Sequence, residues 1–398
     1  MITNPTKPGP PLRRTADPGT LATMDLLPVA PIETLRKRRS AKWRYHADDM
    51  LPLPVAEMDF DLAPPIQAAL HDAVERSDAG YPAPVPVLAE ALKEFAGRRW
   101  GWEIDPAGVT AVTDVGVGVV EILRALARPG DPVVICPPVY PPFFDWVPEA
   151  GARLHEVPLV DGRLDLPGLE RAFATRPAAF LLCNPHNPVG RVHTPDELAE
   201  VVRLATAHAV PVLSDEIHAP LVLPGATFTP ILTVPGAAAV AVSLVSTSKA
   251  WNLAGLKCGT IVTASPEMAA VVDRLPPDSP WRIGHFGVLA SVAAYTEGVS
   301  WLDLLLATLD DRRALLGRLL VERLPTVAWR APEATFLAWL DCTALGAGTE
   351  PHELFYERAR VALEPGPRFG TEGSGYVRLN FGTSAEILEA AITRMAAA

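Results

Sequence analysis

From residue 109 to 263 the chain alternates short apolar runs, rich in β-branched residues, with stretches of helical period. The runs fall at 109–113, 132–136, 179–183, 211–214, 240–245 and 259–263. Few architectures accept such a series. Strands this apolar must be covered on both faces, and intervening helices supply the cover as crossovers. The alternation predicts an α/β fold with a mostly parallel sheet covered by helices. A capping box with proline in the first turn, Thr194-Pro195-Asp196-Glu197, marks one helix start, and Leu198, Val201, Val202 and Ala205 form its apolar face.

After Pro276-Pro277 the pattern changes to a long helical region near 301–324, strands near 335–340 and 376–381, and a final helix capped at Thr383-Ser384-Ala385-Glu386. This part reads as a smaller α+β domain. The division expected is an arm and short helix over 1–50, a large domain over 51–280 and a small one over 281–398. Proline-rich sequence before about residue 28 predicts an extended arm, and 31–42 a short helix. A length of 398 residues, 49% apolar and 20% charged, describes a globular chain. The formal charge of −11 argues against nucleic acid or an anionic membrane as partner, and makes the cluster Arg36-Lys37-Arg38-Arg39 a solvated helix face. Cys136, Cys183, Cys258 and Cys342 are widely spaced and read as thiols of a reducing compartment. No signal-peptide pattern and no apolar run of ~20 residues is present, so the expected location is cytoplasmic.

Chemistry concentrates where the apolar runs end. The run 240–245 gives way to Ser246-Thr247-Ser248-Lys249, then a small-residue turn leads through Lys257 to the next run. Lys249 therefore sits just past a buried strand, where ligands collect in open α/β sheets. Low-dielectric walls lower a lysine's proton affinity and suit it to Schiff-base chemistry. Ser246, Ser248 and Lys257 are the groups a phosphate needs close by. Val115-Gly116 opens a helix after a strand, either a phosphate cradle or a plain tight turn. Tyr140, stiffened by neighbouring prolines, either flanks a ring or joins the core. Asn187 lies in a loop with two Asn-Pro steps, Asn184-Pro185 and Asn187-Pro188. Asp215 ends a buried run and needs a cation, which a protonated ring nitrogen or an arginine would supply. Arg378, inside a strand-like run, either grips a carboxylate with its two-pronged guanidinium or faces water from an edge strand. Together these groups fit pyridoxal 5′-phosphate (PLP).

In order and spacing, Asn184 to Gly190, Asp215-Glu216, Ser246 to Lys257 and Arg378 resemble fold-type I PLP-dependent enzymes of the class I/II aminotransferase superfamily. Lys42-Trp43, Val55 to Phe60, Gly80-Tyr81, Pro138 to Phe143, Asp215-Glu216-Ile217-His218 and Ser248 to Lys257 resemble its MalY/PatB-like cystathionine β-lyase (C–S lyase) branch. The resemblance implies that Lys249 carries PLP and then moves protons. Cofactor contacts are implied for Val115, Gly116, Tyr140, Asn187, Asp215, His218, Ser246, Ser248 and Lys257. Substrate contacts are implied for Arg378, Ala56 and Glu57, with no metal. Tyr81 would reach the phosphate of a neighbouring subunit, making a homodimer with shared active sites. The implied reaction is β-elimination from an L-cysteine S-conjugate or cystathionine-like amino acid to thiol, pyruvate and ammonia. An aminotransferase and a non-catalytic PLP-binding regulator are the rivals. Two positions depart from the branch: Pro220 replaces a common Asp, and Phe228-Thr229-Pro230 lacks a frequent His.

Overall fold

The computed structural model describes residues 26–82, 86–346 and 350–398. The expected arm before residue 28 lies almost wholly outside them.

The large sheet has seven strands, β1 (Val109–Val112), β2 (Pro132–Ile135), β3 (Arg153–Glu156), β4 (Ala179–Cys183), β5 (Val212–Asp215), β6 (Ala241–Val245) and β7 (Gly259–Val262). Their spatial order is β1-β7-β6-β5-β4-β2-β3. All neighbours pair in parallel except at β7, which runs antiparallel to both β1 and β6. The inner strands β4 to β7 are buried on both faces, and the two-residue period of a strand sorts their side chains. Val133, Ile135, Leu181 and Leu213 pack with Val115, Val119 and Ile122 of the helix Val115–Leu126. Val134, Phe180, Leu182 and Val212 pack on the other side with Leu198, Val201 and Val202 of Pro195–His208. That helix begins as its sequence predicts: Glu197 N donates to Thr194 Oγ1 at 3.2 Å, and Thr194 N donates to Glu197 Oε2 at 2.8 Å.

A second, antiparallel sheet joins β8 (Ala328–Trp329), β9 (Leu337–Asp341), β10 (Glu364–Pro365) and β11 (Tyr376–Asn380) in the order β10-β11-β9-β8. Leu337, Leu340, Val377 and Leu379 share one core with helices Val299–Arg323 and Ala385–Ala396. Leu51–Pro52, ahead of both sheets in the chain, pairs in parallel with Val361–Ala362, which lies between β9 and β10.

Three expectations change. The helix expected over 31–42 is two single turns, Ile32–Leu35 and Ala41–Arg44. Tertiary bonds explain the break: Arg38 is no part of a solvated face but donates to Met58 O, Phe60 O and Asp61. β3 escapes the sequence reading because Arg153-Leu154-His155-Glu156 is polar, as an edge strand is free to be. Helix His285–Thr296 escapes because it is apolar nearly all round, lying between other helices with no polar face to show a period. No helix among the described residues is long and apolar enough to cross a membrane.

Candidate active site

Segments at the carboxyl ends of β1, β2, β4, β5 and β6 converge on one cavity of about 600 Å³. This is the side of an open sheet where ligands bind.

After β1, Asp114 caps the helix Val115–Leu126, its Oδ1 accepting from Val117 N at 2.9 Å. Its Oδ2 accepts from Lys257 Nζ at 3.0 Å. The N–H groups of Val115 and Gly116, which line the cavity, belong to the first turn and have no intrahelical partner. Gly116 has a packing reason that the motif does not reveal: a Cβ there would lie 2.5 Å from Trp146 Cζ2. Trp146 in turn meets Tyr140 edge-on, with ring centroids 5.8 Å apart. Burial pushes the Tyr140 phenol up to about 12, so it stays protonated.

After β4, the loop carrying Asn187 contains cis peptides at Asn184-Pro185 and Asn187-Pro188. Two histidines not singled out from sequence tie it down. His186 Nε2 bonds Pro138 O and His193 Nε2 bonds Cys183 O, each at 3.0 Å. Burial lowers them to about 3 and about 4, leaving both neutral. Asn187 Oδ1 accepts from Arg378 Nη1 at 3.2 Å. Arg378 lies on β11, flanked by β9 and β10, and is 4% exposed, so the edge-strand alternative is excluded.

At the end of β5, adjacent carboxylates face opposite ways. Glu216 points into a nest of donors, Ser243 Oγ (2.6 Å), Ile231 N (2.8 Å) and Ser214 Oγ (3.0 Å). The Asp215 side chain lines the cavity and accepts only from Ile217 N, at 3.1 Å, with no salt-bridge partner among the described residues. Burial raises Asp215 to about 7, against the opposing pull of that N–H and of Lys249. His218 also lines the cavity; burial lowers it to about 3, and its Nδ1 has no partner.

After β6, Lys249 enters the cavity and donates to Ala56 O at 3.3 Å. Burial, and then the charge of Arg378, bring it down to about 8. A usable fraction of amine therefore exists near neutral pH. Ser248 lines the cavity, while Ser246 stands behind it, sharing a 2.7 Å hydroxyl contact with Ser248 and donating to Cys258 O.

The structure thus brings Ala56, Val115, Gly116, Tyr140, Asn187, Asp215, His218, Ser248, Lys249 and Lys257 to one cavity. Of the other four expected residues, Arg378 and Ser246 do not line it but bond residues that do, Asn187 and Ser248, and two lie elsewhere. Glu57 lines a neighbouring cavity with Arg39 and Asn252. Tyr81 is 76% exposed and meets Trp281 edge-on at 5.8 Å, outside this chain's own cavity. Glu216, Trp146 and the two histidines escape the sequence reading. For Glu216 the signal was present, a carboxylate beside Asp215 with Ser214 and Ser243 on neighbouring strands.

A family model described as aminotransferase class I and II matches residues 48–395. A candidate cystathionine beta-lyase of Mycobacterium leprae (strain TN) is 46% identical over 94% of this chain and 98% of its own. Cystathionine beta-lyase PatB of Bacillus subtilis (strain 168) is 33% identical over 90% and 96% respectively. The crystal structure of a candidate PLP-dependent β-cystathionase from Corynebacterium diphtheriae superposes with a TM-score of 0.90 at 36% identity, covering 94% of this chain and 98% of that one.

Proposed function

The chain belongs to the class I and II aminotransferase family, and from that premise we propose that it is a PLP-dependent carbon–sulfur β-lyase. The relatives named cystathionine beta-lyase point to the reaction. One observation carries the cofactor assignment: Lys249 and the carboxylate of Asp215, which has no salt-bridge partner among the described residues, share one cavity, each brought toward neutrality by burial. A buried carboxylate without a cation is an unmet electrostatic demand that a protonated ring nitrogen satisfies. The unpartnered His218 Nδ1 and the open first-turn N–H groups beside Lys257 fit the rest of a phosphorylated pyridine.

When bound, PLP supplies an aldehyde that captures the substrate amine and a protonated ring that withdraws electrons from Cα. The protein's residues do the rest. Asp215 would keep the ring nitrogen protonated, Tyr140 would flank the ring, and Asn187 and His218 would address its oxygen. Val115 N, Gly116 N, Ser248 and Lys257 would hold the phosphate, with Ser246 orienting Ser248. Lys249 Nζ would hold the cofactor and, as a free amine, would take the Cα proton. Arg378 holds the substrate carboxylate beside Ala56, a charge-assisted contact that fixes Cα within reach of Lys249. The overall reaction adds water to the S-conjugate and releases thiol, pyruvate and ammonia. The exposed pair Tyr81 and Trp281 supports a homodimer in which Tyr81 serves the partner's phosphate. Four free, buried cysteines support action in the cytoplasm.

A product assay across a panel of cysteine S-conjugates and cystathionine tests the reading. Thiol, pyruvate and ammonia in equal amounts without added keto acid are expected. Turnover that requires a keto acid and yields an amino acid from it would make the protein an aminotransferase instead.

A further inference from the structure

Side chains occupy every carbonyl oxygen from Pro54 to Met58. Pro54 O accepts from Arg378 Nη2 at 2.8 Å and Ala56 O from Lys249 Nζ at 3.3 Å. Between and beyond them, Val55 O and Glu57 O both accept from a single amide, Asn380 Nδ2, at 2.7 and 2.6 Å. Met58 O accepts from Asn252 Nδ2 at 3.0 Å. Glu57 N also donates to Val55 O at 2.8 Å, closing a three-residue turn with Ala56 at its centre.

Glu57 O has a second donor in Lys42 Nζ at 3.2 Å. The Lys42 charge meets Asp59 Oδ2 at 2.7 Å, and Asp59 Oδ1 accepts from Trp43 Nε1 at 2.9 Å. Lys42 and Asp59 are both 0% exposed. Apolar side chains of the same volume would serve stability as well or better than so deeply buried an ion pair. What the pair adds is direction, a charged donor aimed at one carbonyl of the turn.

We propose that Asn380 is a positioning residue which, backed by Lys42 and Asp59, fixes the turn at Ala56 and thereby sets the separation between the Lys249 amine and the Arg378 guanidinium. The inference rests on the reading of Lys249 and Arg378 given above. Lys249 bonds the central carbonyl of the turn and Arg378 the carbonyl of the residue entering it, two residues apart, so displacing the turn moves both at once. Asn380 touches neither: its amide nitrogen serves the turn, and its Oδ1 accepts from Gly382 N at 2.8 Å.

Two variants test this. Asn380→Leu keeps the branched shape but donates nothing. Lys42→Met combined with Asp59→Leu replaces the ion pair by apolar bulk. In protein stripped of PLP, the pH dependence of Lys249 acetylation, read by peptide mass spectrometry, reports the amine's proton affinity. Arg378, Glu57, Asp215 and Lys257, the charged groups acting on Lys249, are unchanged in both variants. Loss of the Ala56 acceptor removes a bond that favours the ammonium form, so the midpoint should fall by ~0.5–1 pH unit. In the loaded protein KM should rise and kcat fall together for amino acids, while amines lacking the carboxylate show only the loss in kcat. A merely structural role would lower the melting temperature and leave the acetylation midpoint in place. Should Asn380→Leu not fold, the double variant decides with the same signs. A folded variant with an unchanged midpoint overturns the proposal. Failure of the wild type to bind PLP would instead refute the functional reading, and the acetylation result would stand independently.

Discussion

Replacing Asp215 by asparagine should act in opposite directions on the empty and the occupied protein. In the empty cavity Asp215 stands at about 7 rather than 3.8, with burial the largest cause. That gap corresponds to roughly 4 kcal/mol against the charged form. An acid whose folded pKa lies above its unfolded value costs stability progressively as pH rises from 3.8 to about 7, and the loss is complete above that. PLP-free Asp215→Asn should therefore melt above PLP-free wild type at about pH 8, the gap closing as pH falls toward about 4. Glu216, raised by burial over the same window, is present in both proteins and cancels. With a cationic ring nitrogen in the cavity the sign reverses, because asparagine cannot balance the charge. Pyridoxine 5′-phosphate isolates this effect, since it has the ring and phosphate but no aldehyde for Lys249. Its Kd should rise by ~2–4 kcal/mol equivalent, on the order of 30- to 700-fold, as for other desolvated charge pairs. Calorimetric titration at two pH values and thermal melts of the empty proteins supply both numbers. Equal Kd values, or an empty variant less stable than wild type at about pH 8, would refute the electrostatic account of this site.

Three further outcomes are expected. Lys249→Ala should lose the visible absorption of lysine-linked PLP and all turnover, checked by spectrophotometry and pyruvate release; full activity would remove the basis of the functional reading. Arg378→Lys cannot reproduce the bonds to Asn187 and Pro54 together, and kcat/KM should fall by ~2–4 kcal/mol on amino acids while amines lacking the carboxylate are spared. Tyr81→Phe should weaken PLP retention by about 1 kcal/mol, the scale of one hydrogen bond, in a protein that sediments as a dimer; a fully active monomer would refute the shared site.

The site residues legible in the sequence are those that interrupt an apolar run. Lys249, Asp215 and Asn187 each follow or end a stretch of buried strand, so chain position alone fixes which end of the sheet they occupy. Arg378 is less legible, because a lone charge in a strand reads equally as an edge residue until its pairing with Glu364 and Trp339 on both sides is known. Glu57 illustrates a harder limit. Its neighbour Ala56 lines the cavity, yet the turn at Ala56 sends the next side chain into a different one, and no local pattern announces a three-residue turn. Gly116 shows the converse, a correctly placed residue with a second reason: Trp146 occupies the space a side chain would need. Such contacts join parts of the chain that sequence keeps apart.

β7 returns antiparallel beside β6, so the segment between them starts and finishes on adjacent strands. Ser246, Ser248, Lys249 and Lys257 all ride on that one hairpin connection. Arg378 and Asn380 sit apart, on β11. In the vocabulary of recombination, the β6–β7 hairpin is a transferable cassette. A chimaera exchanging it between relatives would inherit the proposed cofactor lysine and the proposed phosphate cation as one block, with strand ends already in register. The proposed carboxylate grip of Arg378 would stay with the recipient. Crossovers inside the connection would split the block, so breakpoints within β6 and β7, rather than between them, are the ones such a library should use.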